Sequence, residues 1–240
     1  MSNTTVVFNP IAVMKRYEIK YIISKEQEEF LKEKLQGKLF VDQFGKTSIA
    51  SLYYDTPDYK LIRTSNEKPL FKEKLRLRSY GLAHDSSPVF LELKRKAFGV
   101  VYKRRIESTI PEVESFFDGI TDSLGDGQIN KEISWFCSQN EDLMPACLII
   151  YDRTAYYEPT GELRLTIDNN PRFRMDNLDL RVSMDGEPLL PEGYSILEVK
   201  VQGGMPLWLS RILDEGKIYK TSFSKYGEAY KRLLVNQYRR

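Results

Sequence analysis

The sequence predicts an α+β fold in which an antiparallel sheet, closed into a barrel in the sharper of two readings, carries helices packed on its outside. Short segments alternate strictly between apolar and charged residues, which marks strands with two unlike faces. The charged faces are rich in Lys and Arg, and amphipathic stretches with helix-start signals fall between and after them.

The series opens with Arg16, Glu18 and Lys20 on one strand face and Tyr17, Ile19 and Tyr21 on the other. Ser24 then caps a helix over 24–35, with Gln27 in the capping-box position and Phe30, Leu31 and Leu35 forming an apolar stripe. β-Branched and aromatic residues predict a strand over 48–54, ended by the turn Asp55-Thr56-Pro57-Asp58. Lys74, Arg76 and Arg78 oppose Leu75 and Leu77, and after a polar loop over 81–88, Glu92 and Lys94 oppose Leu91 and Leu93. Strands over 100–109 and 148–157 flank a helix expected over 128–141, entered through Gly125-Asp126-Gly127. Arg164, Thr166 and Asp168 oppose Leu163, Leu165 and Ile167; beyond a loop over 185–193, Glu198 and Lys200 oppose Leu197, Val199 and Val201. Pro206 starts a helix over 206–215, and a last helix over 224–238 sets Tyr226, Tyr230, Leu233 and Leu234 near one face.

At 240 residues, with no linker-like tract and no repeat, the chain reads as a single domain over 1–240. Its 41% hydrophobic content supplies a sizeable core, and a net charge of +2 excludes the bulk basic excess of a non-specific nucleic-acid binder. If an anion binds, the placement of charge must matter more than its total. Two cysteines, Cys137 and Cys147, lack metal or disulfide-framework spacing. No apolar run is long enough for a membrane span or a signal peptide, so the expectation is a cytoplasmic protein.

Two readings of the charged faces compete. An antiparallel sheet can pack its apolar face on helices and leave its charged face in water. Alternatively it closes with the charged face inward, giving a basic tunnel with a few carboxylates. Such an interior repels itself until a polyanion enters. Arg would then grip phosphate oxygens through its planar fork and Lys as a point charge, while Glu18, Glu92 and Glu198 are candidate ligands for Mg2+ or Mn2+. Other chemistries find little support. There is no Walker loop and no dinucleotide-binding glycine motif, and the single histidine, His84, sits in a polar loop where a solvated role is expected.

The alternating segments fall within longer motifs. Arg16-Tyr-Glu-Ile-Lys20-Tyr, Ser51-Leu-Tyr-Tyr-Asp-Thr-Pro57-Asp, Lys74-Leu-Arg-Leu-Arg-Ser-Tyr80-Gly, Leu91-Glu-Leu-Lys94, Tyr151-Asp-Arg153, Leu163-Arg164-Leu-Thr-Ile-Asp168, Leu197-Glu198-Val-Lys200 and Phe223-Ser-Lys225-Tyr follow one another across nearly the whole chain. Together they resemble the VTC-type polyphosphate polymerase domain. The resemblance implies a triphosphate-tunnel fold that moves the γ-phosphate of ATP onto inorganic polyphosphate or a pyrophosphate primer, with Mn2+ or Mg2+ and release of ADP. It further implies that Lys20, Arg76, Arg78, Lys94, Arg153, Arg164 and Lys225 hold the nucleotide phosphates and the acceptor. Glu198 would be the principal metal ligand, aided by Glu18, and Lys103, Arg105 and Lys200 would support the phosphates. Nucleic acid is not an expected partner.

The family is also similar to CYTH hydrolases, which use a Glu-x-Glu-x-Lys strand to bind metals and cleave triphosphates. Here Arg16 stands where the first glutamate would be, which favours transfer over hydrolysis. Two alternatives stay open: a tri- or polyphosphate hydrolase, and a non-catalytic polyphosphate-binding accessory module.

Overall fold

The computed structural model describes residues 16–98, 100–140, 142–159 and 163–238. Its strands are β1 (Arg16–Ser24), β2 (Phe40–Asp55), β3 (Phe71–Tyr80), β4 (Val89–Ala97), β5 (Val100–Ser108), β6 (Met144–Tyr157), β7 (Leu163–Arg174), β8 (Glu187–Pro188), β9 (Tyr194–Gln202) and β10 (Lys220–Thr221). The helices are α1 (Lys25–Leu35), α2 (Lys60–Asn66), α3 (Ile110–Phe117), α4 (Gln128–Ser138), α5 (Leu207–Glu215) and α6 (Lys225–Tyr238). The Glu141 end of the expected fourth-helix segment and the Arg16 side chain lie outside the described residues.

All strands join one antiparallel sheet in the order β10-β1-β9-β7-β6-β2-β3-β4-β5, with β8 on β7. Among the described residues no ladder connects β5 with β10 or β1, so the expected hydrogen-bonded closure is corrected to an open sheet. β10 pairs with β1 only at Lys20 and Tyr21 and leaves the rest of that edge free, and β5 forms the other edge. The sheet nevertheless curls far enough for its second and penultimate strands to touch: Lys94 on β4 stands 3.7 Å from Glu18 on β1.

Alternation along the strands sorts the side chains between two surfaces. On the outer surface of β1, β7 and β9, Ile23, Leu165, Leu197 and Val199 are sealed by Leu31 and Leu35 of α1 and Leu209 and Leu213 of α5. On the outer surface of β2, β3, β4 and β6, Leu52, Leu75, Leu91 and Leu148 pack beneath Val113 of α3 and Ile133 and Phe136 of α4. These two layers are the apolar exterior that the sequence predicts. A third cluster lies on the opposite face of β2, β6 and β7, where Ile49, Ile149 and Phe173 receive Ile62 of α2 and Tyr226, Ala229 and Tyr230 of α6. The inner surface is therefore part core and part charged wall.

α1 starts as expected, with Ser24 and Gln27 exchanging side-chain and backbone bonds of 3.3 and 3.0 Å. Pro206 takes the N-cap position of α5, one residue outside the helix. α2 depends on a more distant group. Its N-cap residue Tyr59 has a left-handed backbone and supplies no side-chain cap. The fully buried Asp55 carboxylate takes over, accepting the backbone N–H groups of Thr56, Leu61 and Ile62 at 2.9, 2.8 and 3.0 Å and the Tyr226 hydroxyl at 2.8 Å. One carboxylate thus ties the end of β2 to α2 and α6. Asp55→Ala strands those donors and is expected to lower unfolding free energy by about 3 kcal/mol, read from urea denaturation. Tyr226→Phe removes a single bond and should cost about 1 kcal/mol.

Candidate phosphate-binding wall

β3 and β4 place Arg76, Arg78 and Glu92 on the inner surface through their alternation and register, Arg76 facing Glu92 across the ladder. Glu92 lies beneath several cations. Arg76 contacts it at 2.7 Å, Lys103 at 2.6 Å, Arg105 at 3.7 Å and Arg78 at 3.8 Å. Burial pushes the Glu92 carboxyl up, but the charges of Arg76 and Arg78 and the contact with Lys103 outweigh it and hold the group down at about 2. Arg76 also donates to Tyr53 Oη at 3.1 Å, while the buried Arg78 donates to Ser51 Oγ and Tyr151 Oη, each at 3.2 Å.

A second group forms where β6, β7 and α6 meet. The fully buried Asp168 takes a bidentate pair of bonds from Arg153 at 2.6 and 2.8 Å, and a further bond from Lys225 at the start of α6. The Tyr151 ring lies beside both cations, with Lys225 Nζ 4.2 Å and the Arg153 guanidinium 5.0 Å from its centroid. Burial would raise the phenol, yet Arg78, Arg153 and Lys225 bring it down to about 8.

The third group is centred on Lys20. Its Nζ stands 3.5 Å from Glu18 and 3.6 Å from Glu198, and it donates to the Phe223 carbonyl at 3.4 Å. Glu198 also meets Lys200 at 2.7 Å. Burial opposes the ionised Glu198, but Lys200 and Lys20 hold its carboxyl well below the usual range.

Most of the expected side chains are therefore brought together: Lys20, Arg76, Arg78, Arg153, Lys225, Lys103, Arg105, Lys200, Glu18 and Glu198 share the inner surface, and Lys94 joins through Glu18. Arg164 faces Lys200 across the β7–β9 ladder, at the exposed rim of this surface. Its side chain is 59% exposed, and its carboxylate neighbour is Asp42, 3.5 Å away. His84 is an exposed loop residue whose ring meets Ser86, as expected.

Sequence reasoning passed over Asp168, Tyr151, Tyr53, Ser51 and Lys74 as site residues. Asp168 was accessible in principle, since it shares a strand face with Thr166. The tyrosines carried no signal beyond core packing, because their hydroxyl partners come from other strands. Lys74 donates to Ser224 Oγ at 3.3 Å and lies over the Tyr226 ring. Burial, then the charges of Lys72, Lys20, Lys94 and Arg76, bring its ammonium down to about 7.

No group of three or more His, Cys, Asp or Glu converges as a metal cage among the described residues. The donor set instead suits a hard divalent ion that takes most of its oxygens from a bound phosphate and only one or two from carboxylates. Glu198 and Glu18 approach a common point at Lys20, and the buried Thr166 hydroxyl, opposite Glu198 in the β7–β9 register, has no hydrogen-bond partner. These groups fit Mg2+ or Mn2+ in that mode.

The fold recurs in solved structures. A candidate adenylate cyclase from Vibrio parahaemolyticus is 14% identical, with a TM-score of 0.51 over 92% of this chain and 98% of that one. A candidate adenylate cyclase from Bacillus halodurans is also 14% identical, with a TM-score of 0.53 over 88% and 96%. A candidate adenylyl cyclase from Hippeastrum, described as revealing a dominant triphosphatase activity, is 17% identical, with a TM-score of 0.50 over 88% and 93%. Among curated protein sequences none matches the chain. The VTC domain profile matches residues 15–234, spanning β1 to α6 and every charged group just described, and the chain belongs to the VTC domain family.

Proposed function

We propose that this protein is a polyphosphate polymerase, transferring the γ-phosphate of ATP onto a growing inorganic polyphosphate chain along its inner wall. The observation that carries this reading is the concentration of Lys and Arg on one curved surface, where Glu18, Glu92, Asp168 and Glu198 are too few to balance them. A bound polyanion supplies the missing charge. Membership of the VTC family points to the same chemistry.

Arg76 and Arg78 would hold the equatorial oxygens of the transferred phosphoryl group, and Arg153 and Lys225 the neighbouring phosphates. Their carboxylate and tyrosine contacts fix these cations before substrate arrives, so little reorganisation is left for the transition state. The acceptor's terminal phosphate oxygen is already anionic and needs no general base. It attacks the γ-phosphorus in line; the new P–O bond forms as the bond to the β-phosphate bridging oxygen breaks, and that electron pair leaves with ADP. Glu198 and Glu18 would hold a divalent ion, which supplies charge neutralisation at the donor phosphates when bound. Lys20, Lys94 and Lys103 would steer the acceptor, with Lys200 and Arg105 in support.

A hydrolase is the second reading, favoured by the triphosphatase activity described for the Hippeastrum protein that shares the fold. Incubation with ATP and Mn2+, with and without pyrophosphate, separates the readings. Long chains with ADP are expected; orthophosphate alone would replace the polymerase by the hydrolase, and polyphosphate binding without turnover would leave an accessory module.

Arg76→Ala should lower kcat/KM by about a hundredfold or more, the scale of losing a preorganised charge donor. Arg164→Ala, at an exposed position, should cost no more than about threefold. Comparable losses in the two variants would overturn this assignment of the reacting centre.

Lys74 gives a pH signature. With its ammonium at about 7, the free protein holds it largely neutral at pH 8, and an incoming polyanion restores the proton. Tyr151, at about 8, contributes uptake of the same sign because the anion disfavours the phenolate. Calorimetry in buffers of different ionisation enthalpy should record proton uptake on tripolyphosphate binding at pH 8, fading below pH 6 where both groups are already protonated. Lys74→Met should remove the lysine share.

A further inference from the structure

The end of the β3–β4–β5 wing carries an exposed apolar tip. Leu70 and Phe98 are 70% and 79% exposed, and Phe71 and Val100 beside them are half-exposed. The loops that bear them are tied together, since the Phe98 N–H donates to the Leu70 carbonyl at 2.9 Å. Phe98 has a left-handed backbone, φ 48°, where a hairpin normally places Gly, Asn or Asp because a bulky side chain is strained there. Packing recovers little of that cost, because the ring lies largely in solvent. One exposed apolar residue needs no explanation, but four neighbours on two tied loops mark an interaction surface.

Cations stand behind this tip. Lys72 and Lys96 face each other one ladder row behind Phe71 and Ala97, and Lys68 lies two residues before Leu70. Burial, then the charges of Lys96, Lys94 and Lys68, lower the Lys72 ammonium below its usual value, so these lysines act on one another. Lys72 donates to the Ser65 carbonyl at 3.2 Å, and no carboxylate among the described residues reaches ion-pair distance of Lys68, Lys72 or Lys96. Glu73 and Glu132 are held by Arg95 and Arg104, which leaves Glu67, next to Lys68 in the chain, against three lysines. Tyr102 faces Arg95 across the β4–β5 ladder, and the Arg95 guanidinium lies 5.8 Å from the ring centroid of Trp135, itself 60% exposed.

We propose that this tip docks on an anionic lipid surface. Leu70, Phe71, Phe98 and Val100 enter the boundary between headgroups and acyl chains, and Lys68, Lys72 and Lys96 meet acidic headgroups. Charge and depth both favour this occupant. From Phe98 to Lys96 the strand advances two residues, roughly 7 Å at the usual rise, which falls within the ~5–10 Å to which interfacial apolar faces sink. Tyr102 and Trp135 suit the headgroup level, where an amphipathic ring keeps its polar edge wet. A protruding hairpin needs a matching groove on a protein, whereas a fluid lipid layer opens around it. No helix among the described residues is long and apolar enough to cross a bilayer, and the contact proposed is interfacial.

Co-sedimentation of the full chain with vesicles of phosphatidylcholine, alone or mixed with phosphatidylserine, tests this at several salt concentrations. Wild type should bind the mixed vesicles at least about tenfold more tightly than the neutral ones and lose affinity as salt rises. Leu70→Ser combined with Phe98→Asn should weaken that binding by about tenfold or more through lost apolar burial. Its melting temperature should hold or rise, because Asn tolerates the left-handed backbone; a fall would assign both side chains to the fold and overturn the docking. Lys68→Gln, Lys72→Gln and Lys96→Gln together should weaken binding by about a hundredfold and flatten its salt dependence. Trp135 emission should shift to the blue with mixed vesicles, and Trp135→Phe should remove the shift. Equal binding of neutral and mixed vesicles, or wild-type binding by either the tip or the lysine variant, would overturn the proposal. So would a wild type that binds no vesicles; a solution dimer that the tip variant dissociates would then assign the patch to a second copy of the chain.

Discussion

Positive charge held on the inside of a curved sheet is the constraint around which this molecule is arranged. Cations this close raise one another's energy, and burial adds a desolvation cost for every ammonium and guanidinium. The protein meets this with carboxylates set among the cations: Glu92 on the strand between Arg76 and Lys103, Asp168 between Arg153 and Lys225 of α6, Glu198 beside Lys20 of the neighbouring strand and Lys200 of its own. Each pair orients its cation as well as neutralising it. Apolar burial then comes from the two outer layers under α1, α5, α3 and α4, and from the part of the inner face that α2 and α6 cover.

The C-terminal segment is as much part of the wall as the strands are. Phe223 gives its carbonyl to Lys20, Ser224 its hydroxyl to Lys74, Lys225 its ammonium to Asp168, and Tyr226 its hydroxyl to Asp55. Four consecutive residues therefore reach four different strands or strand ends. Tyr226 also stacks on Tyr53, which accepts from Arg76, so the helix start is mechanically linked to the central arginine.

A surface of this kind suits a reaction in which the nucleophile is already charged. Rigid cations lower the cost of bringing two anions together, and that cost is the main obstacle when phosphate attacks phosphate. Water attack would need a group to take its proton. The ionised carboxylates are occupied by Lys and Arg and His84 lies in an exposed loop, which leaves the Lys74 amine, largely neutral at pH 8, as the group able to accept it. The prepositioned cations are the feature on which the proposed phosphate-to-phosphate transfer rests.

The amino-acid pattern by itself determined most of the strands, the charged strand faces that carry Lys20, Arg76, Arg78, Glu92 and Glu198, and the capped start of α1, because these follow from local periodicity of two and from a four-residue capping motif; it left open whether the charged face turns inward or to water. The same local logic applies to α3, where Thr109 and Glu112 form a capping box. Other features were beyond local reading. The N-cap residue of α2 supplies no cap, and its first N–H groups go to Thr56 Oγ1 and the Asp55 carboxylate; β2 begins at Phe40 rather than within 48–54 because its early residues pair with β6 across a bulge. Only tertiary structure decided that the sheet stays open, that Arg164 is exposed beside Asp42 rather than gathered with Arg76 and Arg78, and that Tyr151 and Asp168 sit among the cations. Periodicity assigns a side chain to a face; curvature, register and the docking of α6 decide which charges on that face come within reach of one another.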